Sequence, residues 1–574
     1  MNEIHTLADE VLDAQSRFDP LNATMLGVPG HDHRLADPSD AAEQELRLRA
    51  RRIAGRAEQL GVLEPDPDDR VTAAVIMQQA GALVDRIDAR MVEYTVTDNN
   101  YVGAAATLLT LIPVAVLSDV ERAGAYLARL RAVPRYLDRI AGRQRAGVAA
   151  GRVPVRRLVD AAVAHLDRYL ADPAGDPLRG PAVDPAVHPD LGGFDAERDH
   201  LLADTVRPAL GRYRDVLAGE IACHARADDR PGLCFLPGGD VAYAALTRVH
   251  TSTDRSPDDL HRVGLDLAKQ LREEYADLGA KVFGSTDQAE IFRRLATDPA
   301  MRWYDGDELI AHARAAVERA EAALPRWFGV VPEQRCEVRP VPAAEAPGAP
   351  LAYYFQPPLD GSRPGVYYAN THRAQDRNRF LSEVTAFHES VPGHHLQLAL
   401  AIQRTDLPPL RRLADVNASI EGWALYAERL AQEMGLYSDD VARLGMLAMD
   451  STRAARLVVD TGLHAKGWSR EDAVTYLREN TPLSALEIGS EVDRYIAYAG
   501  QALSYMVGRL EIDRIRAETG RRLGARFDLR AFHDVVLGSC PLPLGVLDRV
   551  LSAWQAPSGW DGPGSLDAVS SRGV

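Results

Sequence analysis

Apolar residues recur at helical spacing along most of this chain. From Ala41 to about Ala171, and again from Phe194, leucine, valine and alanine return every three or four positions with charged residues between them, the pattern of helices that bury one face. Ser256-Pro257-Asp258-Asp259 supplies an N-cap, a proline at the first helical position and an acid at the capping-box position, predicting a long helix that ends near Gly279. Another helix is predicted over 305–323, and from residue 374 onward over 376–404, 417–435, 437–465, 469–479 and 490–519, with shorter pieces to about 555. The period changes only between 334 and 370. There Cys336-Glu337-Val338-Arg339-Pro340-Val341, Leu351-Ala352-Tyr353-Tyr354-Phe355 and Gly365-Val366-Tyr367-Tyr368-Ala369 are short, β-branched or aromatic, and separated by proline and glycine. The prediction is a mostly α fold with one small β-sheet. Residues 172–193, rich in proline and glycine, read as a connecting loop, and 556–574 as a loose tail.

Composition narrows the classes of function. The 574 residues are 46% hydrophobic and 26% charged, enough apolar surface for a large core. With 66 basic against 82 acidic residues the net charge is −16, which disfavours nucleic acid and anionic membranes as partners. The longest apolar run, 102–117, is shorter than the roughly 20 residues of a membrane span and contains Gly103 and Pro113, so it reads as a buried helix or helix pair. Cys223, Cys234, Cys336 and Cys540 are scattered, with no CxxC pair. Together with an amino terminus lacking a basic start and an apolar core, they predict a reduced, cytoplasmic protein.

Chemistry concentrates in Phe387-His388-Glu389-Ser390-Val391-Pro392-Gly393-His394-His395, where three of the chain's 16 histidines fall within eight residues. In the usual helical zinc motif two histidines four residues apart face one ion, and the glutamate beside the first reaches the water. Here Pro392 occupies the fourth position after His388, and His394 and His395 lie six and seven residues on. An unbroken helix would carry them roughly 9–10 Å along the axis, too far for one ion. Pro392 and Gly393 predict a kink or bulge that brings one of the two back.

The string His388-Glu389-Ser390-Val391-Pro392-Gly393-His394-His395 resembles the signature of the bacterial domain-of-unknown-function 885 family. That family in turn resembles the glutamate-zincin metallopeptidases of the oligopeptidase and helical carboxypeptidase type. The resemblance covers most of the chain, above all 350–555, and implies a large helical fold with a deep cleft. Residues 1–330 would form one side, and 331–555 would form the catalytic region containing the sheet and the metal site.

By the same resemblance His388 and His394 are metal ligands, His394 being preferred to its rival His395 because a Gly-His pair ends the motif in the related peptidases. Glu421, in Asn417-Ala418-Ser419-Ile420-Glu421-Gly422-Trp423, becomes the third ligand. Glu428, seven residues further on the same helix face, becomes the residue that orients a ligating histidine. Tyr505 becomes the oxyanion donor, with Tyr498 two turns before it on the same face. The oligopeptidases place a histidine shortly before the paired tyrosines; this chain has none there, and His464 is the candidate substitute.

The implied activity is hydrolysis of amide bonds, foremost of peptides, with one zinc ion and Glu389 as general base. Manganese and cobalt suit the same donor set. A peptide's terminal carboxylate would pair with one of Arg453, Arg456, Arg494 and Arg509. The strand beside the site would either add an extended peptide to its edge or buttress the histidine helix. The alternatives are an amidase or deacylase acting on a small metabolite, and an inactive metallopeptidase-like binding protein.

Overall fold

In the computed structural model the chain is mostly helical. It describes residues 2–555 apart from 65, 182–192, 343–345, 347–348 and 362. Most of the predicted loop at 172–193 and the whole of the predicted tail at 556–574 lie outside the described residues.

The capping signals act where the sequence places them. Ser256 accepts from the Asp259 N–H and starts helix Pro257–Phe283, which runs one turn past the predicted end to Gly284, in the left-handed conformation at φ 68°. Ser469 and Asp472 form the reciprocal box that opens helix Arg470–Asn480. The apolar run at 102–117 folds as helix Ala104–Leu111 followed by a tight turn, and no described helix is long and apolar enough to cross a membrane.

All three predicted strands form. They are β1 (Glu337–Pro340), β2 (Ala352–Phe355) and β3 (Val366–Ala369), in the order β1-β3-β2, with β1 parallel and β2 antiparallel to β3. Tyr354 pairs in register with Tyr367.

Two predicted helices are broken. The 376–404 helix divides into Ser382–Glu389 and His394–Gln403. The 490–519 helix divides into Ala485–Ala497 and Ser504–Leu523, because the chain reverses at Gly500 (φ 83°), whose N–H is held by the Asp460 carboxylate at 3.1 Å.

One apolar core joins the amino-terminal helices, through Ile4, Ile53 and Ile76, to Phe387, Leu396, Trp423 and Ile515. A second gathers Leu271, Val384, Leu425, Leu447, Leu457 and Met506. Helix Asp440–Ala465 is buried on every face from Leu444 to His464, so its polar residues are forced to find partners inside the protein. Helices Asn417–Glu433 and Ser504–Leu523 cross where two glycines meet. A Cβ on Gly422 would come within 2.4 Å of the Gly508 Cα, and one on Gly508 within 1.8 Å of the Ala418 carbonyl oxygen. That close crossing brings Glu421, one residue before the first glycine, and Tyr505, three before the second, toward the same point.

Candidate metal centre

Helix Ser382–Glu389 ends at His388-Glu389, and the next four residues turn the chain back on it. Gly393 packs so tightly against the helix end that a Cβ would lie 2.0 Å from the His388 carbonyl oxygen. Three contacts fix the reversal. The Ser390 N–H donates to the Ala386 carbonyl at 2.9 Å, the His395 N–H donates to the Ser390 carbonyl at 2.9 Å, and the buried Trp423 indole N–H donates to the Pro392 carbonyl at 2.9 Å. His394 therefore returns to His388, ring centroids 4.7 Å apart and edge to face. The bend anticipated at Pro392-Gly393 is present, as a complete helix break.

The imidazole Nε2 atoms of His388 and His394 stand 3.6 and 3.4 Å from one oxygen, Glu421 Oε2. One donor atom from each of the three residues lies within 4.8 Å of the others. Both histidines are buried, and Glu421 Oε2 is a buried oxygen with no hydrogen-bond partner. His388 donates its Nδ1–H to the fully buried Glu428 at 2.7 Å, which fixes the tautomer and aims Nε2 at Glu421. Two imidazoles facing a carboxylate whose buried oxygen has no hydrogen-bond partner are donor types that suit a transition-metal ion. The residues fit a zinc ion.

Burial pushes the Glu421 carboxyl up, but its contacts with His388 and His394 outweigh that and hold it well below the ordinary carboxylate range. Burial pulls the His388 imidazole down, and Glu421 and Glu428 more than reverse it, raising it to about 9. Glu389 sits beside the cluster, partly buried and without a hydrogen-bonding or ion-pairing partner among the described residues. Burial raises its carboxyl above the usual value against the pull of His388 and His394, a shift that strengthens it as a base. The Tyr505 ring lies parallel to that of His388 at 6.4 Å, and burial, reinforced by the Glu421 charge, keeps its phenol protonated.

His395, the rival ligand, points elsewhere. Its Nε2–H donates to the Gln334 carbonyl and its Nδ1 accepts from the Tyr354 hydroxyl, each at 2.9 Å, so neither nitrogen is free. Burial lowers it to about 4 and keeps it neutral.

His464 is likewise committed. Its Nε2–H donates to the Tyr495 carbonyl at 2.9 Å and its Nδ1 accepts from the Leu233 N–H at 3.2 Å, so it does not substitute for the missing histidine. Tyr498 does not share a helix face with Tyr505, because the break at Gly500 separates them. Its ring packs edge-on against His250 at 5.1 Å. Arg509 is occupied by Asp450 and Asp513.

Three residues outside the predicted set belong to the site's surroundings. Trp423 fixes the Pro392 carbonyl, and Tyr354 on β2 stacks near His394 (6.4 Å, 21°) while bonding His395. Of the two uses foreseen for the strand, this contact performs the buttressing one. Tyr101, from the amino-terminal half, is 60% exposed, and the nearby Tyr505, Glu421 and Glu389 raise its phenol. Only Trp423 carried a signal, as an aromatic two residues after Glu421.

Fold and site together define a mostly helical protein with a buried His-His-Glu cluster at a helix break. The chain belongs to the family of bacterial proteins of unknown function designated DUF885, whose pattern it matches over residues 20–551. Solved structures similar to it include two bacterial proteins. One is a candidate lipoprotein from Colwellia psychrerythraea, with TM-score 0.88 and 27% identity over 96% of this chain and 98% of that one. The other is a candidate lipoprotein of unknown function from Shewanella oneidensis, with TM-score 0.73 and 17% identity over 96% and 99%. No curated protein matches the chain.

Proposed function

We propose that the protein is a metal-dependent amide hydrolase, foremost a peptidase, with zinc held by His388, His394 and Glu421. The observation that carries this reading is the buried, unsatisfied Glu421 Oε2 facing both imidazoles, with the unpartnered Glu389 beside it. Zinc in such a donor set supplies Lewis acidity toward a carbonyl and lowers the pKa of water to roughly 7. Glu389 takes a proton from the attacking water on its carboxylate and delivers it to the leaving nitrogen. Tyr505 donates its hydroxyl proton to the oxygen of the tetrahedral species, where a preorganised donor is worth most. Glu428 holds His388 in the tautomer that presents Nε2.

Metal analysis of the purified protein, followed by a peptide-library digest read by mass spectrometry, tests the proposal. About one equivalent of transition metal and cleaved peptides are expected. Glu389→Gln is expected to keep the metal and lower turnover by about 10²–10⁴-fold. Protein without stoichiometric metal sinks the enzyme reading, and intact peptides with turnover of small acyl-amides move it to an amidase. We place the protein in the cytoplasm on its four unpaired cysteines. The lipoprotein description of both structural neighbours stands against that placement, and cell fractionation decides it.

A further inference from the structure

Arginine is almost never buried without a counter-charge, since desolvating a guanidinium is costly unless its donors are met. Arg453, on helix Asp440–Ala465, is 6% exposed. Its Nε is buried without a partner and its Nη1 meets only the sulfur of Met449, a weak acceptor, at 2.8 Å. No carboxylate among the described residues forms an ion pair with it.

The same wall holds further positive charge. One turn along the helix, Arg456 donates to Glu491 at 2.8 Å, yet its Nη1 is also buried without a partner. Arg494 donates to the same Glu491 at 3.0 Å and to Gln501 at 2.7 Å. Two guanidiniums thus share one carboxylate, and the third has none. The excess lies against Tyr505, whose ring centroid is 5.6 Å from the Arg453 Cζ and 4.6 Å from the Arg456 Cζ. Tyr505 in turn stacks near His388.

We infer that Arg453, flanked by Arg456, binds a carboxylate of the substrate, and that the substrate class is peptides and N-acyl amino acids with a free terminal carboxylate, cleaved at their last amide bond. This rests on the hydrolase reading above for the cleavage, though not for the binding. A planar guanidinium with free donors meets a carboxylate in two parallel hydrogen bonds, and a neutral carboxamide would leave the buried charge unpaired. In the reaction the oxygen of water bonds to the acyl carbon and the carbon–nitrogen bond breaks. One water proton passes to the leaving nitrogen, so the products are a free amino acid and a shortened acid, with no change of oxidation state.

Two measurements test the inference on the full chain. Metal-depleted protein, which does not turn over, is titrated calorimetrically with an N-acetylated tripeptide acid, with the same tripeptide amidated at its carboxyl terminus, and with acetate. The peptide acid is expected to bind at least about 30-fold more tightly than the amide, a preference abolished in Arg453→Ala and partly kept in Arg453→Lys. Acetate binding as tightly as the peptide acid would overturn the assignment to a peptide carboxylate. Equal binding of acid and amide by the wild-type protein, which requires no variant to fold, overturns the inference outright, as does a preference that survives Arg453→Ala. With metal restored, Arg453→Ala is expected to raise KM for the acid far more than it lowers kcat. Carboxylate preference that depends on Arg453, without cleavage of any amide, would leave the binding site standing and remove the hydrolase reading alone.

Discussion

His394 and His395 are adjacent in sequence and opposite in bonding. The first turns its Nε2 to Glu421, while the second has both nitrogens taken by Gln334 and Tyr354. His394→Ala is therefore expected to lose the metal at once. His395→Ala should keep it and cost about 1–3 kcal/mol of stability through the partners left unpaired. Metal content by mass spectrometry and urea denaturation of each variant check the pair, and metal retained in His394→Ala would return His395 to the site. Glu428→Ala should weaken metal binding by about 10–100-fold, because His388 loses the group that fixes its tautomer. The residue types of this cluster were legible in the sequence. The choice between the two histidines was legible only through the resemblance, since the bonds that occupy His395 come from a carbonyl at 334 and a hydroxyl at 354, far away along the chain.

Among the elements, the helix break at 390–393 does most to build the cluster. Capping boxes, strand periodicity and the long buried helices were readable because they depend on neighbours a few residues apart. The two breaks depend on distant partners, Trp423 for the first and Asp460 for the second, so the periodic pattern ran straight through them. Pro392 and Gly393 announced a bend; its extent is set by the packing of Gly393 on the His388 carbonyl. Gly393→Ala would place a methyl group 2.0 Å from that oxygen, which is backbone and has little room to move. The variant is expected to lose about 1–3 kcal/mol of stability and to bind metal more weakly than wild type. Calorimetric titration with zinc checks this, and wild-type affinity would show that the reversal tolerates a side chain.

At the scale of the whole molecule, the helical class and the small sheet followed from the hydrophobic pattern, whereas the way one core joins residues near the amino terminus to Phe387 and Trp423 did not. The same large interior holds other histidines in neutral form. His464 donates to the Tyr495 carbonyl, His533 donates to the Trp327 carbonyl and accepts from the Tyr426 hydroxyl, and burial lowers them to about 4 and about 3 from the ordinary 6.5. Both folded-state values lie below the unfolded one, so the unfolded chain binds more protons below pH 6.5. The stability each group contributes is complete above that pH and is lost as the pH falls toward 4, by up to about 1.4 kcal/mol per pH unit per group. Asp460 has the opposite sign: burial raises it to about 7, and the stability it contributes below 3.8 is lost as the pH rises to that value. The contributions therefore have to be separated by substitution. Urea denaturation between pH 4.5 and 7.5, with chelator present so that metal binding does not enter, should show a shallower loss of stability toward acid for His464→Gln and for His533→Asn than for wild type. The comparison rests on the slope against pH, so a constant cost of either substitution does not disturb it. Parallel curves would mean that these imidazoles protonate as readily inside the fold as in the unfolded chain.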